Sequence, residues 1–520
     1  MARLAVVVGL AAIVAGGIVS AGFFSQASAT DFGPPQVTAE VPVTAMHQNM
    51  GPANNSPKLL ADPTEPQFVV IANRLDAPDF SCALQVSGDG GRSWLPANPV
   101  PELPEGAEKC YAPEVAFDRD GTLYYLFVGL AGRGNEPMGV FLTTSADRAR
   151  TFSRPHQILG PLNFATRMAI DPTIGAKGRM HLVWIQATSD PPLGAFGPPP
   201  NPIMAAYSDD GGQTFSEAVQ ISDPDRTFVV APTLALGRDH AVHVAYYDLE
   251  DDAVDYHGLE GPTWPDTWSI VATSSFDGGR SFGQGVVVDD AIKPHERVML
   301  IFTMPPPSLV ADGKGGVCAA WTDARFGDAD ALLRCSTDEG RGWGDLRRLN
   351  DDPQANGAAQ YMPSVAVSPD GARLDAIFYD RRDDPDNIRT HVYYTYSTDR
   401  AEGFAPNLRL TSDFSNPQIG QRYVNPSAEG MVEFGSRIGL LARRSSAVAA
   451  WTDTRNSRPG TGQDVFATIV DFPASEAQGG APLWGIVLLT GGAILLALAA
   501  LAYRFRTGRL SPPVSEDQPA

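Results

Sequence analysis

Short apolar runs recur along this chain in sets of three. The first run of a set carries Pro as its second residue, or Ser in the last set: SPKLLA from Ser56, APEVAF from Ala112, DPTIGA from Asp171, APTLAL from Ala231, PPSLVA from Pro306, MPSVAV from Met362 and GSRIGLLA from Gly435. After a short polar turn comes a second run, which tends to end in an aromatic and an Asp: QFVVIAN, LYYLFVG, MHLVWIQ, AVHVAYYD, GVCAAWTD, RLDAIFYD and AVAAWTD. A variable loop separates it from a third run. Runs of this length, rich in β-branched and aromatic residues and bounded by Gly, Pro and Asp, predict strands rather than helices.

The third run enters one recurring string. SGDGGRSW starts at Ser87, SADRARTF at Ser145, SDDGGQTF at Ser208, SFDGGRSF at Ser275, STDEGRGW at Ser336 and STDRAEGF at Ser397, at steps of 58, 63, 67, 61 and 61 residues. A fixed step marks a repeat architecture. Four short strands per repeat, arranged radially, predict an all-β propeller, in which ring closure removes most exposed sheet edges. Seven units are counted, the last without the string; six blades result if the first and last units are parts of one. The string sits at the turn from third to fourth strand. Its Gly adopts backbone angles closed to other residues, its Asp and Ser accept turn amides, and its aromatic packs between sheets. A calcium loop is the alternative, but the string offers few oxygen ligands.

The ends add an address. Residues 1–29 carry an Arg, a long apolar run and Ala27-Ser28-Ala29, the pattern of an export signal, with an uncleaved anchor as the alternative. Ala481–Tyr503 is free of charge and long enough to span a bilayer as a helix, and Arg504, Arg506 and Arg509 follow it, so 504–520 is expected in the cytoplasm and 30–480 outside the cell. Four cysteines fit an oxidising compartment. They allow three pairings, of which Cys318 with Cys335 across a hairpin, and Cys82 with Cys110, is the expected one. A formal charge of −21 argues against nucleic acid as a partner. His156, His181, His243 and His391 are scattered without zinc-ligand spacing, and the Gly-rich pieces lie in hairpin turns rather than before helices; no cofactor is expected.

Ser-x-Asp-x-Gly-x-Thr followed by Trp or Phe is the Asp-box, or BNR repeat, and the chain from about Asn55 to Phe472 resembles the sialidase-like β-propellers. The resemblance implies a glycoside hydrolase of sialidase type or a non-catalytic propeller of the same build. Sialidases of this kind carry an Arg-Ile-Pro stretch in the first blade, an Asp general acid, two further arginines that clamp a sugar carboxylate, and a Tyr nucleophile backed by a Glu. Aligned on Pro57, this chain has Asn55 at the Arg position and Ser56 at the Ile position. Arg74 and Asp79 fall where a family Arg and the general acid lie. Tyr361, Tyr379 and Tyr423 are candidate nucleophiles, and Glu296 and Glu433 candidates for the Glu. The Asp-x-Arg pattern recurs at Asp323 and Arg325, Asp380 and Arg382, and Asp453 and Arg455, which points to blade architecture as well as to ligand binding.

Loops from first to second strand are short throughout, whereas long insertions gather in the second-to-third loops and between blades: Ala187–Pro202, Leu249–Trp268, Asp289–Pro306 and Pro406–Phe434. Insertions gathered on one face mark a binding face. Trp264 and Trp268, with Tyr256 and His257, are expected there, where aromatic rings stack on sugars or anchor partners. The leading expectation is a surface-anchored module that binds a glycan or an envelope protein through this face. A sialidase-type hydrolase using Asp79 and Arg74 is the second, and an extracellular scaffold of a membrane complex the third.

Overall fold

The computed structural model describes residues 33–44, 53–97, 101–188, 198–256, 264–295, 304–420, 434–457 and 462–473, together with Leu498 and Ala502. The expected export signal and membrane segment, and His257, Glu296, Tyr423 and Glu433, lie outside these residues. Among the described residues no helix is long and apolar enough to cross a membrane.

Seven antiparallel sheets follow one another along the chain, spanning 54–96, 109–159, 163–220, 229–292, 308–348, 360–409 and 439–471. The first and last units are therefore separate blades. In the first six, each strand pairs with the next in sequence. The seventh is finished differently. Its three own strands, Gly439–Ala442, Ser446–Asp453 and Asp464–Asp471, are joined by two short N-terminal strands, Gln36–Val37 and Val41–Pro42, which both pair with Asp464–Asp471. This strap adds the outer strand that the missing Asp-box would have introduced. It is pinned by Thr44 Oγ1 donating to Asp464 at 3.0 Å and by Glu40, 2.6 Å from Arg455.

Two assignments shift. The first strand of the third blade is Asn163–Asp171, and DPTIGA is mostly the turn that follows it. An Asp-Pro pair resembles the Pro-led strand starts elsewhere, but here the Pro comes after the strand. Asp289 lies inside the strand Val286–Ile292, so the connection beyond it is shorter than the sequence suggests.

Hydrophobic clusters fill the seams between blades. Val70, Ala72 and Leu84 of the first blade pack with Val115, Tyr125 and Phe127 of the second, and Trp321 and Leu332 of the fifth with Tyr247 and Ile270 of the fourth. The Asp-box turns close these seams. In the third blade Gly212 N donates to Ser208 Oγ at 2.9 Å, Thr214 N to Asp210 Oδ1 at 2.9 Å, and Thr214 Oγ1 to Asp210 Oδ2 at 2.6 Å. The turn rests on the preceding blade. Gly279, at φ +81°, lies so close to His181 that a Cβ there would come within 2.8 Å of the imidazole. Trp94 packs with Val448 across the seam between the first and seventh blades. Disulfides join Cys82 to Cys110, between the first and second blades, and Cys318 to Cys335, within the fifth.

Candidate functional site in the central channel

The innermost strand of most blades carries a local irregularity. The strand register jumps between Asn55 and Lys58, Tyr111 and Glu114, Phe164 and Arg167, Val230 and Thr233, and Tyr361 and Ser364. At each jump a residue other than glycine takes a left-handed conformation: Ser56, Ala112, Ala165, Ala231 and Met362, with φ between 50° and 54°. Such residues cost about 1–3 kcal/mol each and persist only where the surroundings impose them. Four of the five precede a proline, which has no amide to give to a ladder and suits a bulge. In the seventh blade Gly435 plays the same part at φ +92°; a Cβ there would collide with Ser56.

Two residues beyond each left-handed position, a side chain lines the channel. The ring consists of Lys58, Glu114, Arg167, Thr233, Ser308, Ser364 and Arg437, one per blade, around a cavity of about 200 Å³. Bulges re-aim side chains in this way. The ring has two halves. Blades seven, one, two and three supply three cations and one carboxylate; blades four, five and six supply hydroxyls.

Glu114 is the hub of the charged half. It is 1% exposed. Its Oε1 accepts from Arg437 and, at 3.0 Å, from Arg167. Arg437 also donates to the Pro113 and Ser56 carbonyls, so it bridges blades seven, one and two. Burial pushes the Glu114 carboxyl up, but the cations Arg437, Lys58 and Arg167 outweigh it and hold it below its usual range. Lys58 behaves in the opposite sense. Burial lowers its amine, Glu114 pulls it back, and the repulsion of Arg437 and Arg167 adds to the lowering. Arg167 and Arg437 are engaged by Glu114, whereas Lys58 makes no hydrogen bond or ion pair with the described residues.

A second group adjoins the ring on the first and second blades. Arg74 donates to Tyr111 Oη at 2.8 Å, lies 4.9 Å from the Tyr111 ring centre, and meets Asp76 at 2.6 Å. Asn55 donates to the same Asp76 at 2.7 Å. Asn55 thus stands where the sialidase pattern has its first Arg, and Arg74 reaches toward that place from the neighbouring strand.

Arg74 is buried in this group, whereas Asp79 is exposed and pairs with Lys109 at 3.1 Å. The Asp-x-Arg pairs close on themselves, Arg325 on Asp323 at 2.6 Å, Arg382 on Asp380 at 2.7 Å and Arg455 on Asp453 at 2.7 Å. Each Arg takes a further acid: Asp289, Asp351 and Glu40. Trp268 is buried, with Nε1 donating to Asp252 at 3.1 Å, and Trp264 packs on the same core. Tyr361 and Tyr379 are buried and stacked at 5.1 Å.

Sequence reasoning passed over Lys58, Glu114, Arg167 and Arg437. A signal existed for the first two: a charged residue directly after the recurrent Pro, where other blades have Thr or Ser. Arg167 and Arg437 follow Thr166 and Ser436 and had no such marker.

No protein-family model matches the chain, and no curated protein sequence matches it. Solved structures do. A Hadza microbial sialidase is similar at 12% identity and TM-score 0.41, over 80% of this chain and 75% of that one. The endosialidase of phage phi92 is similar at 11% identity and TM-score 0.45, over 85% and 70%. A polysaccharide lyase of family PL25, an ulvan lyase, is similar at 12% identity and TM-score 0.46, over 82% and 95%. The propeller itself is read from the chain's own seven antiparallel sheets.

Proposed function

We propose that this protein is a glycan-binding propeller displayed outside the cell and held there by its C-terminal apolar segment, and that the channel ring receives an acidic sugar unit. The observation that supports this reading is the ring's net positive charge in a chain of formal charge −21, with Lys58 making no hydrogen bond or ion pair to the described residues beside an engaged Glu114. A carboxylate facing Lys58 and Arg167 neutralises that excess, and the hydroxyl half of the ring suits the remaining sugar hydroxyls. A cavity of this size takes one sugar end rather than a chain.

Calorimetric titration of the full-length protein with D-glucuronate, N-acetylneuraminate and neutral D-glucose tests it. The acidic sugars are expected to bind, glucose is not, and Lys58→Met is expected to weaken binding by about tenfold or more, the cost of one charge-assisted contact. Equal binding of glucose and glucuronate overturns the reading.

A sialidase-type hydrolase is the second reading, favoured by Arg74, Arg167, Arg437, Tyr111 and Glu114 standing in one region. Turnover of a fluorogenic sialoside that disappears in Tyr111→Phe establishes it.

A further inference from the structure

The two disulfides stand in different relations to the channel. Cys318 and Cys335 are directly opposed on neighbouring strands of one hairpin, whose ladder already fixes their distance. Cys82 and Cys110 belong to different blades. Cys82 is the register partner of Arg74 on the adjacent strand. Cys110 immediately precedes Tyr111 on the strand that carries Glu114 beyond its bulge. The Arg74–Tyr111 hydrogen bond crosses the same seam. The seam therefore has a covalent link and a polar link side by side, three to four residues before the hub of the ring on the same strand.

We propose that the Cys82–Cys110 disulfide is a positioning element for the channel site. It holds the start of the strand Lys109–Phe117 against the first blade, so that Tyr111 stays on Arg74 and Glu114 stays between Arg167 and Arg437. A bulge is a place where a strand slips or bends. The start of the strand is paired with residues 128–130 of its own blade, and what ties it to the first blade is the bridge together with the Arg74–Tyr111 hydrogen bond and the Cys110 amide on the Phe80 carbonyl. Without the bridge Glu114 retreats from its two guanidinium partners, which then compete for the ligand's place or swing away from it. The inference rests on the channel reading given above for its ligand, but not for its geometry.

The test compares two paired variants of the full-length protein, Cys82→Ala/Cys110→Ala and Cys318→Ala/Cys335→Ala, well below their unfolding temperatures. Both are expected to lower Tm, because each loses a cross-link. Only the first is expected to raise the Kd for D-glucuronate, by about tenfold, with the second within about twofold of wild type. Equal Kd values in the two variants overturn the proposal and leave both bridges as supports of stability. If the first pair does not fold, the Cys318→Ala/Cys335→Ala protein is reduced with dithiothreitol under native conditions, which opens only the bridge in question, and the Kd is measured again. If wild type binds no acidic sugar, it is the channel reading that fails, and hydrogen exchange decides the positioning role. Faster exchange confined to 109–117 and 163–171 in the first variant supports it; uniform acceleration, or none, refutes it.

Discussion

At the scale of single residues, Glu114 and Lys58 illustrate opposite relations between stability and function. Glu114 is a buried carboxylate among three cations, so removing its charge leaves those cations to repel one another in a desolvated place. Glu114→Gln is expected to destabilise the protein by about 3–5 kcal/mol, read from urea unfolding. Lys58 makes no hydrogen bond or ion pair with the described residues and feels Glu114 only through space. Lys58→Met removes a burial cost and the repulsion from Arg437 and Arg167 but also the attraction to Glu114, so stability is expected to change by no more than about 1 kcal/mol in the same measurement, while binding of acidic sugars weakens. A residue that costs stability and sits in a cavity is the kind of residue retained for a ligand. The sequence disclosed little of this. Glu114 and Lys58 differ from their counterparts in other blades only in charge, and nothing local announces that a left-handed Ala112 or Ser56 turns them inward.

At the scale of elements, the Asp-box turn and the second strand of the preceding blade act as one unit. His181 and His243 lie on such second strands, buried beneath or beside the next turn. Burial lowers both imidazoles to about 4. Their unfolded value is near 6.5, so between pH 6.5 and 4 the unfolded chain binds protons that the folded chain does not. The stability they contribute is complete above pH 6.5 and is lost as pH falls toward 4, by about 3 kcal/mol for each residue at most. Urea unfolding at pH 7 and pH 4.5 is expected to show this loss, and a His181→Gln/His243→Gln variant is expected to show a much smaller one. The Asp-box carboxylates Asp210 and Asp277 act in a lower window. Burial opposes but does not cancel their hydrogen bonds, and they titrate near 2, so they hold their contribution until pH falls below the ordinary Asp range. This level of the structure was the most legible in the sequence. A motif that closes every hairpin repeats because every seam needs the same closure. The one misplaced strand, DPTIGA, came from reading Pro as a strand opener when the third blade has Thr166 at that position and a Pro after the strand.

At the scale of the whole propeller, closure depends on residues about as far apart as the chain allows. Thr38 and Thr468 meet across a separation of 430 residues. The loop-closure entropy of such a contact is met only after the blades between have formed, which makes ring closure late and slow. Until then the strand Asp464–Asp471 is an open edge. Deleting residues 34–44 is expected to leave the other blades formed but to expose that edge, with self-association in light scattering and early proteolytic cleavage within 439–471 as the readouts. An intact monomer would show that the strap is dispensable. The composition gave no hint of the strap, because its strands are two residues each and carry no repeat signature.

The bulged inner strands have a wider consequence. A side chain two positions past a left-handed residue is released from the alternation that assigns its neighbours to the seams between blades. Six of the seven ring residues, all but Ser308, stand two positions past a left-handed residue, and all seven line the channel. A change at one of them repacks no hydrophobic core, but Glu114, Arg167 and Arg437 also hold one another across blades, so those three are tied together. The propeller in effect writes a word of seven letters around its axis, here Lys, Glu, Arg, Thr, Ser, Ser, Arg, and a descendant can change what it recognises at Lys58, Thr233 or Ser364 while the frame stays as it is, whereas the linked letters Glu114, Arg167 and Arg437 change together.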